Sequence, residues 1–316
     1  MTKTIGIPRA MYFYEFYPVW EAYFKSLGFE ILLSPKTNKD ILNAGILTCV
    51  DEACLPVKIF HGHVVFLKDK VDYIFIPRII GLHKREYNCP KHLGLSDMIK
   101  SSIDELPEII DPIINLRNKN GVKIAVKDMK NELKLNYSQK ELYKNAIREQ
   151  EKYKKNLLKT DISLKKDEKS SNLLILGHPY NVYDEFINMN ILEKLKDEDL
   201  NLFFAEDIPE KDYREYSSQF IKRIFWTQGR KLIGSSYYLI DNELIDGIMY
   251  LSAFGCGLDS MLVYLVEKKC IEKNIPMIVL TLDEQTGEAG FVTRIDAFLD
   301  MMEWRKKDEN NLSTFR

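Results

Sequence analysis

Three cysteines stand where a thiolate could bind metal: Cys54 in Asp-Glu-Ala-Cys-Leu-Pro (51–56), Cys89 in Asn-Cys-Pro (88–90) and Cys256 in Phe-Gly-Cys-Gly-Leu-Asp (254–259). Each follows an extended or loop segment and precedes a helix-forming stretch. At a helix start the free backbone N–H groups and the positive end of the helix dipole favour thiolate over thiol, and thiolate is the form that ligates metal. Three such positions, far apart in sequence, suggest one site assembled by folding. Pro56 and Pro90 resemble the Cys-Pro ends of some cluster-binding loops. Gly255 and Gly257 flank Cys256 and would let a bulky inorganic group reach the backbone. The residues alone leave a second reading open, that of three buried, inert thiols. Zinc fits less well, because no Cys-x-x-Cys pair supplies its close ligand spacing. Cys49 and Cys270 read as structural, with Cys49 a remote candidate for a fourth ligand.

Other residues suit acid–base or anion chemistry. His178 ends an apolar run before Pro179 and could donate a proton near neutral pH; a strand-end hydrogen bond to backbone is the alternative. His61 and His63, two apart on one helix, cannot share a face, and packing with local hydrogen bonding serves as well for both. Asp51, Glu52, Glu284 and Glu288 are carboxylates that could move a proton if their pKa were raised, or could cap helices. Arg78 and Arg294 could neutralise a cluster or bind a carboxylate or phosphate. Gly255-Cys256-Gly257 is not a dinucleotide fingerprint, because Ser260 stands where the third glycine belongs, and no Walker loop is present. The aromatic run Met11–Tyr17 reads as core, or as an apolar mouth over the site.

The elements that must position these residues are short strands alternating with helices. Thr4–Ile7, Glu30–Leu33 and Tyr73–Ile76 read as strands. Helices are expected from Pro18 to Gly28, after a Thr37/Asp40 capping box, and over Leu55–Leu67 with Pro56 in its first turn. Val122–Val126 reads as one more strand. A lysine-rich helix and polar linker follow. Then Leu173–Leu176, Leu202–Ala205, Ile248–Leu251 and Met277–Leu280 repeat the strand pattern, with a helix over Leu258–Glu272. Apolar strands separated by helices predict parallel sheets covered on both faces, with ligands beyond the carboxyl ends of strands. The expected fold is α/β, two Rossmann-like lobes with mostly parallel sheets and a site in the cleft between them. The expected boundaries are an N-terminal lobe 1–128, a helical linker 129–171 and a C-terminal lobe 172–316.

Composition sets the class. The 316 residues are 45% hydrophobic and 29% charged, as in a globular protein with a real core. A net charge of −2 gives no drive toward nucleic acid. No apolar run spans a bilayer, and the N-terminus reads as a first strand rather than a signal peptide. Five cysteines, an odd number, without a secretion signal imply a reducing cytoplasm.

Several stretches together carry a resemblance: Gly-Ile-Pro-Arg-Ala (6–10), Asp-Glu-Ala-Cys-Leu-Pro-Val-Lys (51–58), His-Gly-His (61–63), Ile-Phe-Ile-Pro-Arg (74–78), Asn-Cys-Pro-Lys (88–91), Gly-His-Pro-Tyr-Asn-Val-Tyr-Asp (177–184) and residues 290–300. They resemble the 2-hydroxyacyl-CoA dehydratase-related family, and more narrowly the domain fused to, or encoded beside, ATP-dependent CoA-enzyme activases. The similarity runs to about residue 303, outside the lysine-rich middle.

The resemblance implies a [4Fe-4S] cluster held by Cys54, Cys89 and Cys256, with one iron open to a small or acyl-CoA substrate. It implies electron transfer at low potential from an activase of actin-like ATPase fold, here a separate polypeptide. It makes a homodimer, or pairing with a related lobed subunit, an expectation. Double-cubane clusters need more cysteines than these positions provide. Gly255 and Gly257 are the expected cofactor-side glycines, and His178, Glu288 and Arg78 the expected catalytic residues. The implied activity is low-potential reduction or reductive dehydration. The alternatives are a non-catalytic cluster carrier docking on an activase or dehydratase, and a cluster-free binding module.

Overall fold

Ile5 and Ile7 are fully buried in β1 (Thr4–Ile7), the second strand across a four-stranded sheet. The computed structural model describes residues 2–157, 170–220 and 222–313. It divides into two units, Met1–Ile162 with Phe225–Gln228, and Ser163–Ile224 with Gly229–Arg316.

In the first unit β1 is followed by α1 (Phe13–Ser26), β2 (Glu30–Leu33), α2 (Lys39–Thr48), α3 (Leu55–Leu67), β3 (Tyr73–Phe75), β4 (Arg78–Gly81), α4 (Pro90–Ser102), β5 (Glu108–Ile110), β6 (Ile113–Asn115), α5 (Gly121–Glu132) and α6 (Gln139–Leu157). The main sheet has the order β2-β1-β3-β5, all parallel, and β4 pairs with β6 in a small parallel sheet. Ile5, Ile7, Phe24, Phe75 and Ile110 form its core with Val126 and Met129 of α5 and Leu142 of α6. Helix α6 packs on α1 and α5, and the Tyr153 hydroxyl donates to the Glu15 carbonyl. The rest of the lysine-rich stretch, 158–169, lies outside the described residues.

The second unit runs β7 (Ser171–Gly177), α7 (Pro179–Val182), α8 (Ile191–Lys194), β8 (Leu200–Phe204), α9 (Glu210–Tyr216), α10 (Thr227–Asp241), β9 (Gly247–Ala253), α11 (Gly257–Glu272), β10 (Met277–Leu282) and α12 (Glu288–Ser313). Its sheet has the order β10-β9-β7-β8, again all parallel. Every residue of β9 is buried, as a central parallel strand covered on both faces requires.

Counted in chain order, both main sheets run second, first, third, fourth. The order reverses beside the first strand, so each unit has a switch point between its first and third strands, where doubly wound sheets bind ligands. A helix that returns from one parallel strand to the next starts at the carboxyl edge of the sheet. Helix α11, between β9 and β10, is of this kind; α3 follows α2 and leads into β3, and α4 follows β4 of the small sheet and leads into β5.

Three local expectations are corrected. Val122–Val126 is helical, inside α5, because Ala125, Val126 and Met129 bury one face against the first core. Asn38, not Thr37, caps α2, its side chain accepting from Asp40 N and Ile41 N at 3.0 Å each. Pro18 lies inside α1 rather than opening it; the ring contacts Tyr12–Phe16 and Phe13–Tyr17 carry the helix back to Phe13.

Candidate functional site

Each of the three cysteines is the N-cap of its helix. Cys54 caps α3 with extended backbone and Pro56 in the first turn, Cys89 caps α4 with Pro90 directly after it, and Cys256 caps α11. All three are half-buried. An N-cap points its side chain at the unsatisfied N–H groups of the first turn. Cys256 does so in the structure, its Sγ accepting from Asp259 N at 3.5 Å.

The second unit gathers a polar group at its switch point. His178 leaves the end of β7 and Cys256 follows β9, the strand beside it. His178 Nε2 lies 3.2 Å from Asp259 Oδ1, and the Tyr250 hydroxyl, from the middle of β9, donates to the same oxygen at 2.9 Å. His178 is 3% exposed, and Tyr250 and Asp259 are both 0%. The imidazole stacks on Tyr180 at 5.0 Å between centroids and 12° between planes, which fixes its orientation. The Cys256 sulfur, a His178 nitrogen and an Asp259 oxygen lie within 4.8 Å of one another, an arrangement able to hold a metal ion. Both ring nitrogens of His178 and Asp259 Oδ2 are buried with no hydrogen bond of good geometry.

Electrostatics couple this group. Burial alone would push the His178 imidazole down, but Asp259, and then Cys256, hold it well above the ordinary histidine range. Burial would likewise raise Asp259, yet His178, Tyr250 and Cys256 keep its carboxyl below the usual value. Tyr250 is pushed well up by burial and by Asp259. Each group thus favours the charged form of the other.

At the glycines the approach to Cys256 is open. Gly255 takes φ +75°, the left-handed region, and a Cβ on Gly257 would meet nothing within 4 Å.

The switch point of the first unit is different in kind. An apolar pocket there is lined by Ile7 and Pro8 at the end of β1, Phe75 and Pro77 at the end of β3, and Tyr12 and His92. The Tyr12 and His92 rings lie 4.4 Å apart. Burial, then Glu15 and Cys89, push the Tyr12 phenol well up. The aromatic run is thus core and pocket wall at once.

The remaining candidates are engaged elsewhere. Arg78 pairs with Asp97 at 2.5 Å and with Asp111 at 2.6 Å, within the first unit. Glu288 opens α12, 69% exposed, and pairs with Lys194 at 2.8 Å, which lowers its pKa. Neither belongs to the His178 group. Arg294 donates to the Val279 carbonyl. His61 and His63 are buried and hydrogen-bonded to Thr48 O and Thr37 Oγ1. Cys270 is in the second core, its thiol pushed up to about 12 by burial and then Glu267. Cys49 follows α2, and burial raises its thiol.

Asp259 and Tyr250 are the site residues that sequence reasoning did not single out. The signal for Asp259 was its place three residues after an N-cap, where an acid commonly faces the helix start. Tyr250 carried one in being a hydroxyl inside an otherwise apolar strand.

Among the described residues no helix is long and apolar enough to cross a membrane. The model of the family described as CoA enzyme activase uncharacterised domain matches residues 4–208, a span that includes Cys54, Cys89 and His178 and stops before Cys256. No curated protein matches the sequence. A crystal structure from Leishmania major Friedlin, assigned as an aspartate carbamoyltransferase, is 6% identical over 89% of this chain and 56% of that one, with a TM-score of 0.22. The chain therefore spans little more than half of that protein, and a likeness at that level carries no argument about either fold or function.

Proposed function

Because the chain belongs to the family of CoA enzyme activase uncharacterised domains, we propose that it is an iron–sulfur protein working with a separate ATP-dependent activase, with Cys54, Cys89 and Cys256 as ligands of a [4Fe-4S] cluster. The observation that carries this reading is that all three thiols, half-buried, are the N-caps of helices.

The donor set fits such a group. Thiolates are the ligands that iron–sulfur clusters take, and Cys256 Sγ accepts from a first-turn N–H, that of Asp259, at 3.5 Å. Beside Cys256 both ring nitrogens of the buried His178 and Asp259 Oδ2 lack a hydrogen-bond partner, polar atoms that an added group could meet. The open backbone at Gly257 leaves room for bulk. When bound, a cluster with three protein ligands supplies one-electron transfer and an iron free to bind a substrate oxygen or sulfur. The substrate class that goes with this reading is a small molecule or an acyl-CoA, reduced or reductively dehydrated at low potential.

The test is anaerobic purification, with iron and acid-labile sulfide counted and reduced-state EPR recorded. About four irons per chain support the cluster. Cys256→Ser should lose it. A chain that stays iron-free after reconstitution overturns the reading. Turnover with activase and ATP separates an enzyme from a carrier that only docks.

A further inference from the structure

We propose that the second unit, in the cluster-free chain, holds a single divalent transition-metal ion of the zinc type on three of its own side chains, Cys256, His178 and Asp259, with a fourth position left open. The site uses neither Cys54 nor Cys89, so it does not rest on the cluster reading. Both groups need Cys256, and a cluster assembled there displaces the ion.

The Cys256 sulfur, a ring nitrogen of His178 and a carboxylate oxygen of Asp259 lie within 4.8 Å of one another. His178 Nε2 is 3.2 Å from Asp259 Oδ1, yet makes no hydrogen bond of good geometry to it. A nitrogen and an oxygen on one tetrahedral zinc ion, each bonded at about 2.0–2.2 Å, stand roughly 3.3 Å apart. The fold places all three donors by itself. Cys256 and Asp259, three apart at the start of α11, make the close-spaced pair that two thiols supply in many zinc sites. His178 arrives from the end of β7, whose neighbour β9 leads into Cys256. Tyr250 O–H donates to the Asp259 carboxylate at 2.9 Å, the outer hydrogen bond that metal-ligating carboxylates carry, and Tyr180 stacks on the imidazole.

A second observation points to an occupant. Among the described residues, both ring nitrogens of His178 and Asp259 Oδ2 are buried without a hydrogen bond of good geometry, in residues 3% and 0% exposed. Such atoms cost free energy until something meets them, and coordination meets them directly. A nitrogen, sulfur and oxygen set selects zinc or cobalt over magnesium and calcium, which take oxygen. Three protein ligands are the number of an open site rather than a closed structural one. The half-buried Cys256, beside a Gly257 with nothing within 4 Å of its Cβ position, leaves the fourth side approachable.

The full chain carrying Cys54→Ser and Cys89→Ser, which cannot assemble the three-thiol cluster, is titrated with Co2+ without oxygen and followed by absorbance. The expected result is one cobalt per chain, with a thiolate-to-metal band in the near ultraviolet and the visible bands of tetrahedral cobalt, all bleached by an equivalent of Zn2+. Adding Cys256→Ser removes the thiolate band, and His178→Gln, Asp259→Asn or Tyr250→Phe weakens binding by about 10-fold or more. No cobalt band in the parent chain, or a thiolate band that survives Cys256→Ser, overturns the site, as does an affinity unmoved by His178→Gln and Asp259→Asn. Where circular dichroism shows that a variant of a buried ligand does not fold, Cys256→Ser, at a half-buried position, decides. A cluster in the wild type with no cobalt in the parent chain overturns the ion site alone. Cobalt in the parent chain with a wild type that stays iron-free overturns the cluster reading alone.

Discussion

Gly45 and Gly62 face each other where α2 crosses α3, with no room for a side chain on either. A Cβ on Gly62 would sit 1.8 Å from the Ile41 carbonyl oxygen, and one on Gly45 would sit 1.9 Å from that of Lys58. His61 and His63, on either side of Gly62, hold the two ends of α2 through Thr48 O at 3.0 Å and Thr37 Oγ1 at 3.1 Å. The His-Gly-His segment is thus a helix-crossing device, and it steadies the helix that Cys54 opens. Gly62→Ala must force the helices apart, at about 3 kcal/mol or more, the upper end for overpacking. Gly94→Ala, in α4 with nothing within 4 Å of its Cβ, should instead stabilise by about 0.5–1 kcal/mol. Urea denaturation of the two variants checks the contrast, and similar midpoints would rule it out.

His63 gives the fold an acid limb. It is fully buried, and burial, then the charge of Arg9, push its pKa down to about 3. The unfolded chain titrates near the ordinary value of about 6.5. Between those values the unfolded state binds the extra proton, so stability is full above about pH 6.5 and falls as pH drops toward 3. The loss is at most about 1.4 kcal/mol per pH unit from this residue, and His61, also lowered by burial, adds in the same direction. His63→Gln keeps a partner for Thr37 but cannot titrate. Its urea midpoint should fall less than that of the wild type between pH 6.5 and 5, and parallel curves would refute the assignment.

What was legible in the sequence was whatever a single residue or a strong period determines. Pro56 and Pro90 after Cys54 and Cys89 marked two helix starts, and the limits of α3 are those expected from its apolar run. The parallel α/β class followed from continuous apolar strands such as β9. What was not legible depends on distant partners. The stretch Val-Lys-Ile-Ala-Val at 122–126 has the β-branched content of a strand, but burial of Val126 and Met129 against Phe75 and Ile110 makes it helix. Strands β4, β5 and β6 are three or four residues each, too short for any period to register. Asp259 joins His178 only because β7 and β9 are neighbours, a pairing across more than seventy residues.

Arg78 fastens α4, the helix that Cys89 opens, to the sheet. Its Nε and Nη2 donate to Asp111 Oδ2, which also accepts from Lys100 at 2.8 Å and from Ser96 of the same helix. Asp111 is well shielded at 13% side-chain exposure, whereas Asp97, the other partner of Arg78, is 67% exposed. Asp111→Asn should cost roughly 1.5–3 kcal/mol, the range for hydrogen bonds to charged groups. Asp97→Asn should cost no more than about 1 kcal/mol, as for surface pairs. Equal losses in denaturant titrations would show that the shielded carboxylate is not the anchor.

The five thiols should separate by reactivity in the cluster-free chain. Cys270 is 2% exposed and its thiol is pushed up to about 12, so it presents neither thiolate nor access. Cys49 is held back by the rise that burial imposes. Cys54, Cys89 and Cys256 are half-buried at helix starts, within reach of a small reagent. Brief iodoacetamide treatment near neutral pH, read by peptide mass spectrometry, should label these three before Cys49, and Cys270 only in urea. Loading with iron and sulfide should then protect the three and leave Cys49 unchanged. Labelling of Cys270 at the rate of Cys256 would contradict its burial, and protection that includes Cys49 would mean a ligand set other than the three helix-opening thiols.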